Sequence, residues 1–133
     1  MEEQRNTEEQ RRALNAITQK IIGAAFKVST TLGCGFLEKV YENALALDLR
    51  RAGLKVQQQA CIKVHYEGVV VGDYVGDLLV EDAVVVELKV AKALDDLNMA
   101  QCMNYLKATE LTIGLLINFG RPKVEVKRVV NNF

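Results

Sequence analysis

The sequence predicts one α+β (or α/β) domain with a central mixed β-sheet flanked by helices and the element order ααβββαββ. Three observations predict this fold. The first 50 residues hold two segments with the apolar spacing of helices, the period then changes to the alternation of strands, and one more helical segment precedes the last two strands. Because the chain has 133 residues, 50% of them hydrophobic and only one a proline, we expect residues 1–133 to share one core.

Two amphipathic helices are predicted at the start. The apolar positions of the first helix recur every three or four residues from Leu14 onward, and Gly33 ends it. The second helix follows Gly35 and ends before Gly53. We expect its apolar side to consist of Leu37, Val40, Tyr41, Ala44, Leu45 and Leu49. Residues 1–12 are polar, and we expect a loose N-terminal extension there, either frayed or forming the loose first turns of the first helix.

The remaining elements follow from alternation and turn residues. Val56, Ile62 and Val64 are expected to share one face of the first strand. Asp95 or Asp96 can cap the helix, which is expected to run to about Lys107. We expect strands at 55–66, 69–80, 84–90, 111–119 and 123–130.

Composition and charge exclude several classes of function. No apolar run is long enough to cross a membrane, and the charged N-terminus lacks a signal core, so we expect a cytoplasmic protein without membrane contact. The three cysteines have no metal-ligand spacing and are expected to be reduced thiols. The net charge of zero weighs against tight non-specific binding of duplex DNA. A basic cluster favours a solvated edge strand over a nucleic-acid contact; its members are Arg121, Lys123, Lys127 and Arg128.

The second and third strands carry charged residues at positions that strand pairing can test. Their even positions are all apolar and must share a buried face; these are Leu78, Val80, Val84, Val86, Leu88 and Val90. A three-residue turn at 81–83 keeps that set together, because it pairs position 80 with 84 and 78 with 86. The same register brings Asp77 opposite Glu87, with Lys89 two residues further on that face.

Opposed carboxylates about 5 Å apart repel one another unless a cation lies between them. Mg²⁺ suits Asp77 and Glu87 because it takes a few carboxylate oxygens and keeps waters for a substrate phosphate. Lys89 would orient the nucleophile or stabilise a developing oxyanion. From these two strands alone, a solvated ladder of Asp, Glu and Lys is an equal alternative.

Two helical pairs add weaker signals. Gln101 and Tyr105 stand four residues apart on the third helix, and Glu38 and Tyr41 stand three apart on the second. Taken singly, each pair favours a structural interpretation. Gln101 and Tyr105 would be ordinary surface, Glu38 would be first-turn charge, and Tyr41 would be a core aromatic.

Together these motifs resemble the GxxExxY family, which is assigned to the PD-(D/E)xK nuclease superfamily. The motifs are the segment 35–41 with its Gly, Glu and Tyr, then Asp77, then Glu87-Leu88-Lys89, and then Gln101-x-x-x-Tyr105. The resemblance spans about residues 17–129. It departs from the superfamily pattern before Asp77, where Gly76 replaces the nominal proline.

The resemblance implies a restriction-endonuclease-like core and a role for each motif. It implies that Asp77 and Glu87 bind Mg²⁺, or Mn²⁺ as a substitute, with the Leu88 carbonyl as a third ligand. Lys89 would be catalytic. Glu38, Gln101 and Tyr105 would complete the active site; their positions in this sequence match the family's helix residues.

The expected function is hydrolysis of phosphodiester bonds in DNA by a metal-activated water, with RNA less favoured. Two alternatives remain open from the sequence. The first is a non-catalytic subunit of the same fold that binds nucleic acid or assembles with proteins, and the second is a hydrolase of small phosphate esters. A chain of this length leaves no obvious DNA-reading domain, which self-association or a partner subunit could supply.

Overall fold

The computed structural model describes residues 7–133 and has the predicted element order ααβββαββ. The three helices are α1 (Glu8–Leu32), α2 (Glu38–Arg51) and α3 (Asp96–Thr109). The five strands are β1 (Val56–Tyr66), β2 (Val69–Val80), β3 (Val84–Lys89), β4 (Ile113–Asn118) and β5 (Glu125–Val130). The fold class predicted from the sequence is therefore confirmed.

Helix α1 starts earlier than the sequence analysis expected. The Thr7 side chain accepts a hydrogen bond from the Gln10 N–H, and the Gln10 side chain accepts one from the Thr7 N–H. This capping box satisfies free N–H groups of the first turn, so residues 8–12 form the first helical turns, the second of the two expected alternatives, and are not frayed. Residues 1–6 of the expected extension lie outside the described residues.

The five strands form one mixed sheet in the order β1-β2-β3-β4-β5. Neighbouring strands are antiparallel except for β3 and β4, which are parallel because α3 connects them as a crossover. Strand β5, which carries Lys127 and Arg128, is an edge strand. The charges of this segment thus lie where the sequence interpretation placed them.

Two apolar layers cover the sheet. Helices α1 and α2 pack on one face, where the buried even positions Leu78, Val80, Val84, Val86 and Leu88 belong to the larger cluster. Helix α3 packs on the other face with Val85, Cys102, Tyr105, Leu106 and Leu116. The predicted shared face is confirmed except at Val90, which is 42% exposed because β3 ends at Lys89.

Helix α2 buries only part of the predicted apolar stripe, namely Tyr41, Leu45 and Leu49. Leu37 and Val40 are exposed, whereas the carboxylate residue Glu42 is buried. The buried positions of this helix are Tyr41, Glu42, Leu45, Ala46 and Leu49. These positions still have helical spacing, so the error arose from assuming that a charged residue faces water.

Strand β1 does not keep one apolar face. Val56 packs in the cluster under α1 and α2, but Ile62 packs in the cluster under α3, so the expected shared face is wrong. The change occurs at Gln59, whose φ of 54° lies in the left-handed region. Two residues separated by an even number normally face the same side, and a single left-handed residue breaks that alternation.

Among residues 7–133, no helix combines the length and apolar character needed to cross a bilayer. The three cysteines are unpaired, with Cys34 and Cys61 exposed and Cys102 buried.

Candidate active site

Strands β2 and β3 separate at the point where the charged residues begin. Their ladder pairs Val80 with Val84 and Leu78 with Val86, as the three-residue turn predicts, and then stops. Beyond it, β3 is paired only with β4. The N–H of Leu88 therefore has no partner on the β2 backbone and donates to Oδ2 of Asp77 at 2.7 Å. Asp77 thus meets β3 through its side chain rather than as a regular cross-strand pair.

The gap between the two strands opens into a polar cleft of about 360 Å³. We use the term cleft for this space throughout. It is lined by Glu38, Asp73, Tyr74, Val75, Asp77, Glu87, Leu88, Lys89, Asn98, Gln101 and Leu116. Six of the seven residues that the sequence analysis assigned to a site are in this set, and Tyr105 is the exception.

The Asp77 and Glu87 carboxyl groups converge in the cleft. Burial and the neighbouring negative charge of Asp77 raise the pKa of Glu87 to about 8, and a hydrogen bond between the two carboxyls favours the protonated form of Glu87. Burial also raises the pKa of Asp77, although the Leu88 N–H opposes this shift. The two carboxyls therefore lie close together, although the direct cross-strand pairing of positions 77 and 87 that the sequence analysis expected is not formed.

One carboxyl oxygen of this pair is an unsatisfied hydrogen-bond acceptor. Oε1 of Glu87 is buried and has no hydrogen-bond partner, which is unusual because a buried carboxylate oxygen normally has a donor or a cation beside it. The other ligand candidates nearby are oxygen atoms as well, which is the donor type that Mg²⁺ and Mn²⁺ prefer. Glu87 and Asp77 therefore fit a small divalent cation.

The donor set is a small one. Within residues 7–133, no group of three or more His, Cys, Asp and Glu side chains is arranged to hold a metal ion. A site based on two carboxylates agrees with Mg²⁺, which is commonly bound by one or two carboxylates and retains several waters. The same set is a poor match for a structural zinc site, which needs four nitrogen or sulfur ligands.

Lys89 and Glu38 complete the charged part of the cleft from two elements. The pKa values of Asp77, Glu87 and Glu38 are all raised, and the positive charge of Lys89 opposes each rise. Lys89 therefore interacts electrostatically with all three carboxyl groups. Burial is the largest cause that raises the pKa of Glu38, followed by the charge of Asp77. Glu38 reaches this position because it is the first residue of α2, whose N-terminus points at the cleft.

Gln101 and Tyr105, the pair predicted on α3, lie in different environments. Gln101 lies on the lining of the cleft and is exposed, whereas Tyr105 is buried one turn further along α3. The Tyr105 hydroxyl donates to the carbonyl oxygen of Ala60 at 3.2 Å, and burial raises its pKa to about 12. Tyr105 thus contacts β1 behind the cleft and does not line it.

The sequence analysis missed Tyr74, which lies in the cleft, and the buried residue Glu42 near it. Tyr74 lines the cleft, and its hydroxyl donates to the backbone carbonyl of Gln101 at 2.9 Å. Glu42 is buried one helical turn after Glu38 and accepts three side-chain hydrogen bonds. The i, i+4 spacing of the two glutamates was the available signal, but the partners of Glu42 come from β1 and no local pattern reveals them.

Comparisons with known proteins bear on the fold and the family of this chain. The crystal structure of SSO0001 has a similar fold, with a TM-score of 0.56 at 13% sequence identity, over 72% of this chain and 51% of that one. This chain thus spans about half the length of that protein, and at this identity the likeness concerns the fold alone. No curated protein matches the chain. The sequence profile of the PD-(D/E)XK nuclease superfamily matches residues 15–129, so the chain belongs to that superfamily.

Proposed function

We propose that this protein is a nuclease that hydrolyses phosphodiester bonds of DNA with a divalent metal ion, Mg²⁺ or Mn²⁺ as its substitute. We assign it within the superfamily to the GxxExxY proteins, and we place it in the cytoplasm. The observation that carries the proposal is the buried Oε1 of Glu87, which has no partner and lies beside Asp77 in a cleft that also holds Lys89. RNA is the less favoured polymer.

The metal ligands would be the carboxylates of Asp77 and Glu87 and the backbone carbonyl of Leu88. When bound, the cation supplies Lewis-acid chemistry, activating water for attack and offsetting the charge of the phosphate. Binding requires Glu87 to lose its proton, since a protonated carboxyl is a poor ligand for a cation.

Lys89 would contact a phosphate oxygen of the substrate and stabilise the negative charge that grows there as water attacks. Glu38 would hold the attacking water from the opposite side of the cleft. Gln101 would position the nucleic-acid backbone through its exposed amide. Tyr105 would act indirectly, because it packs behind the cleft and holds the strand segment that precedes Asp77.

The charge of the cleft supports a requirement for a cation. Four acidic residues, Glu38, Asp73, Asp77 and Glu87, line the cleft with a single lysine, Lys89. Once Glu87 is ionised, a phosphate diester entering without a cation therefore meets net repulsion. Metal and substrate should therefore bind cooperatively. A second copy of the chain or a partner subunit would supply the surface that reads DNA sequence.

The test is cleavage of fluorescent single- and double-stranded DNA and RNA by the purified chain with Mg²⁺, Mn²⁺ or chelator. We expect metal-dependent cleavage of DNA that falls by about 10²-fold or more in Glu87→Gln and in Lys89→Met. Matched controls are Glu110→Gln and Lys107→Met. Both residues are exposed at the far end of α3 from Gln101, and these variants should keep full activity.

Other outcomes separate the alternatives. Equal cleavage by Glu87→Gln and the wild type would assign the activity to a contaminant or another site. DNA binding without cleavage by any variant would favour a non-catalytic subunit. Hydrolysis of mononucleotides but not of polymers would favour a hydrolase of small phosphate esters.

A further inference from the structure

Asn118 is a buried polar residue to which the proposed function gives no role. It is the last residue of β4, it is fully buried, and its register partner on β3 is Lys89. Its Nδ2 donates to the carbonyl of Ala91 at 2.9 Å and to Oε1 of Glu125 at 3.3 Å. Its Oδ1 accepts from the N–H of Ala91 at 3.0 Å and from the N–H of Gly120 at 2.9 Å. Both donors and both acceptor sites of the amide are therefore used, which offsets the cost of burying it.

The Asn118 side chain acts like a strand backbone just beyond the end of β3. A backbone hydrogen bond joins the N–H of Phe119 to the carbonyl of Lys89 at 2.9 Å. Two residues further on, Ala91 both donates to and accepts from the Asn118 amide, as two paired residues of a sheet exchange both of their backbone bonds. The chain is thus held at Lys89 itself and again at Ala91, although β3 ends at Lys89.

Two further contacts hold the segment that follows Lys89 in place. A Cβ atom at Gly120 would lie 2.4 Å from both N and O of Ala91, so the close approach of these two segments requires glycine. Oε1 of Glu125, which accepts from Asn118, also accepts from the N–H of Leu94 at 3.2 Å. The link from Lys89 to α3 is therefore fixed at two points by residues at the end of β4 and the start of β5.

We propose that Asn118 is a positioning residue that fixes the backbone at Lys89 and so holds the lysine side chain in the cleft. This inference rests on the proposed function for the role of Lys89 toward the substrate, but not for the geometry. Lys89 lines the cleft, and its long, flexible stem places the ammonium group reproducibly only if the backbone that carries it is fixed. A displacement of about 1 Å in a reacting group can cost about 10²-fold in rate.

The experiment compares the kinetics of DNA cleavage with Mn²⁺ in the full chain for wild type, Asn118→Leu and Ile113→Ala. Asn118→Leu keeps the approximate size of the side chain but loses all of its hydrogen bonds. Its kcat should fall about 10- to 100-fold while KM stays within about threefold, because the other residues of the cleft remain. Ile113→Ala, a fully buried residue at the other end of β4, lowers stability but keeps the amide, so its kcat per folded molecule should stay within about twofold of wild type.

A second measurement separates this inference from the proposed function. The ¹³Cε signal of Lys89, recorded at fixed pH without metal in chain labelled with ¹³C-lysine and assigned with Lys89→Met, should move in Asn118→Leu and stay unchanged in Ile113→Ala. If wild type cleaves no DNA but the Lys89 signal moves, the proposed function fails and the positioning role stands. An unmoved Lys89 signal in Asn118→Leu would overturn the positioning role.

Two kinetic results would also overturn it when wild type cleaves DNA. The first is an equal kcat in wild type and Asn118→Leu, and the second is an equal loss of kcat in Ile113→Ala. If Asn118→Leu does not fold, Glu125→Ala repeats both measurements, because it removes one acceptor of the Asn118 amide and the partner of the Leu94 N–H. A smaller movement of the Lys89 signal is then expected, and no movement would overturn the positioning role.

Discussion

The two ends of the β2–β3 hairpin differ in structure: the turn end is a regular apolar ladder, and the cleft end is open and polar. At the turn end, Leu78 and Val80 pair with Val86 and Val84 in a regular ladder, and all four side chains are fully buried. At the cleft end the ladder stops, and a side chain of β2 replaces its backbone as the partner of the Leu88 N–H. The turn end contributes stability, whereas the cleft end keeps carboxyl groups partly buried at a cost to stability.

The difference lies in what each end requires of its neighbours. The turn end needs only apolar side chains on alternate positions, a local property of the sequence. At the cleft end the β1–β2 pairing omits Gln59 and Asp77, and the neighbours come from other elements: Gln59 donates to Glu42 of α2, and the Tyr105 ring of α3 lies against Gly76. We therefore expect substitutions at the turn end to alter stability alone and substitutions at the cleft end to alter both stability and metal binding.

The largest effect on stability is expected at the turn end. Leu78→Ala removes a fully buried side chain from the larger core cluster and should lower the free energy of unfolding by about 2–5 kcal/mol, measured by urea denaturation. Val71→Ala, on the same strand but 62% exposed and outside the cleft, is the control and should change it by less than about 1 kcal/mol. If folded Leu78→Ala also loses Mn²⁺ affinity, the two ends are not separable.

A smaller effect is expected where β2 approaches α3. A Cβ atom at Gly76 would lie 2.8 Å from atoms of the Tyr105 ring, which is buried and stacks edge-on against Tyr74. Gly76→Ala should therefore destabilise the fold by about 1–3 kcal/mol and weaken Mn²⁺ binding through the adjacent Asp77. Gly72→Ala on the same strand is the matched control, since nothing lies within 4 Å of its added Cβ. Equal unfolding midpoints for the two variants would contradict the close packing.

The sequence was sufficient to predict the fold class and the convergence of Asp77 with Glu87. Both follow from alternation, because one register alone keeps the apolar even positions of β2 and β3 on a buried face. The face change in β1 could not be predicted in this way. A left-handed glutamine has no propensity signal, and its side chain donates to Glu42 of α2, a contact distant in sequence.

The errors in the helices have a related cause. Glu42 was missed and Leu37 was assigned to the core because apolar spacing was taken as the measure of burial, whereas Lys39, Gln58 and Gln59 together allow a carboxylate inside. Gln101 and Tyr105 share a helix face by spacing, but Tyr105 is buried and Gln101 is exposed because of how α3 packs on the sheet. Such depths depend on tertiary packing and not on periodicity.

The last prediction concerns how the stability of the fold depends on pH, because the buried carboxyl of Glu87 lies at the cleft end. The pKa of Glu87 is about 8 in the folded chain against an ordinary value of 4.5, so between about pH 5 and pH 8 the folded chain holds a proton that the unfolded chain has lost. Stability must then fall as pH rises through this window, by at most about 1.4 kcal/mol per pH unit for this group. The raised pKa values of Asp77 and Glu38 act in the same direction.

Urea denaturation of the metal-free chain in chelator, at steps from pH 5 to pH 8, measures this slope. Glu87→Gln cannot ionise, so its stability should depend on pH less steeply than that of the wild type and should exceed it at pH 8. Glu110→Gln, an exposed carboxylate changed in the same way, should follow the wild-type curve. Excess Mn²⁺ should reverse the loss in the wild type above pH 7, because a cation that binds only the folded, deprotonated pair stabilises it. If the free energy of unfolding depends on pH equally in the wild type and in Glu87→Gln, ionising Glu87 does not destabilise the fold. The proposed difference between the cleft end and the turn end would then be wrong.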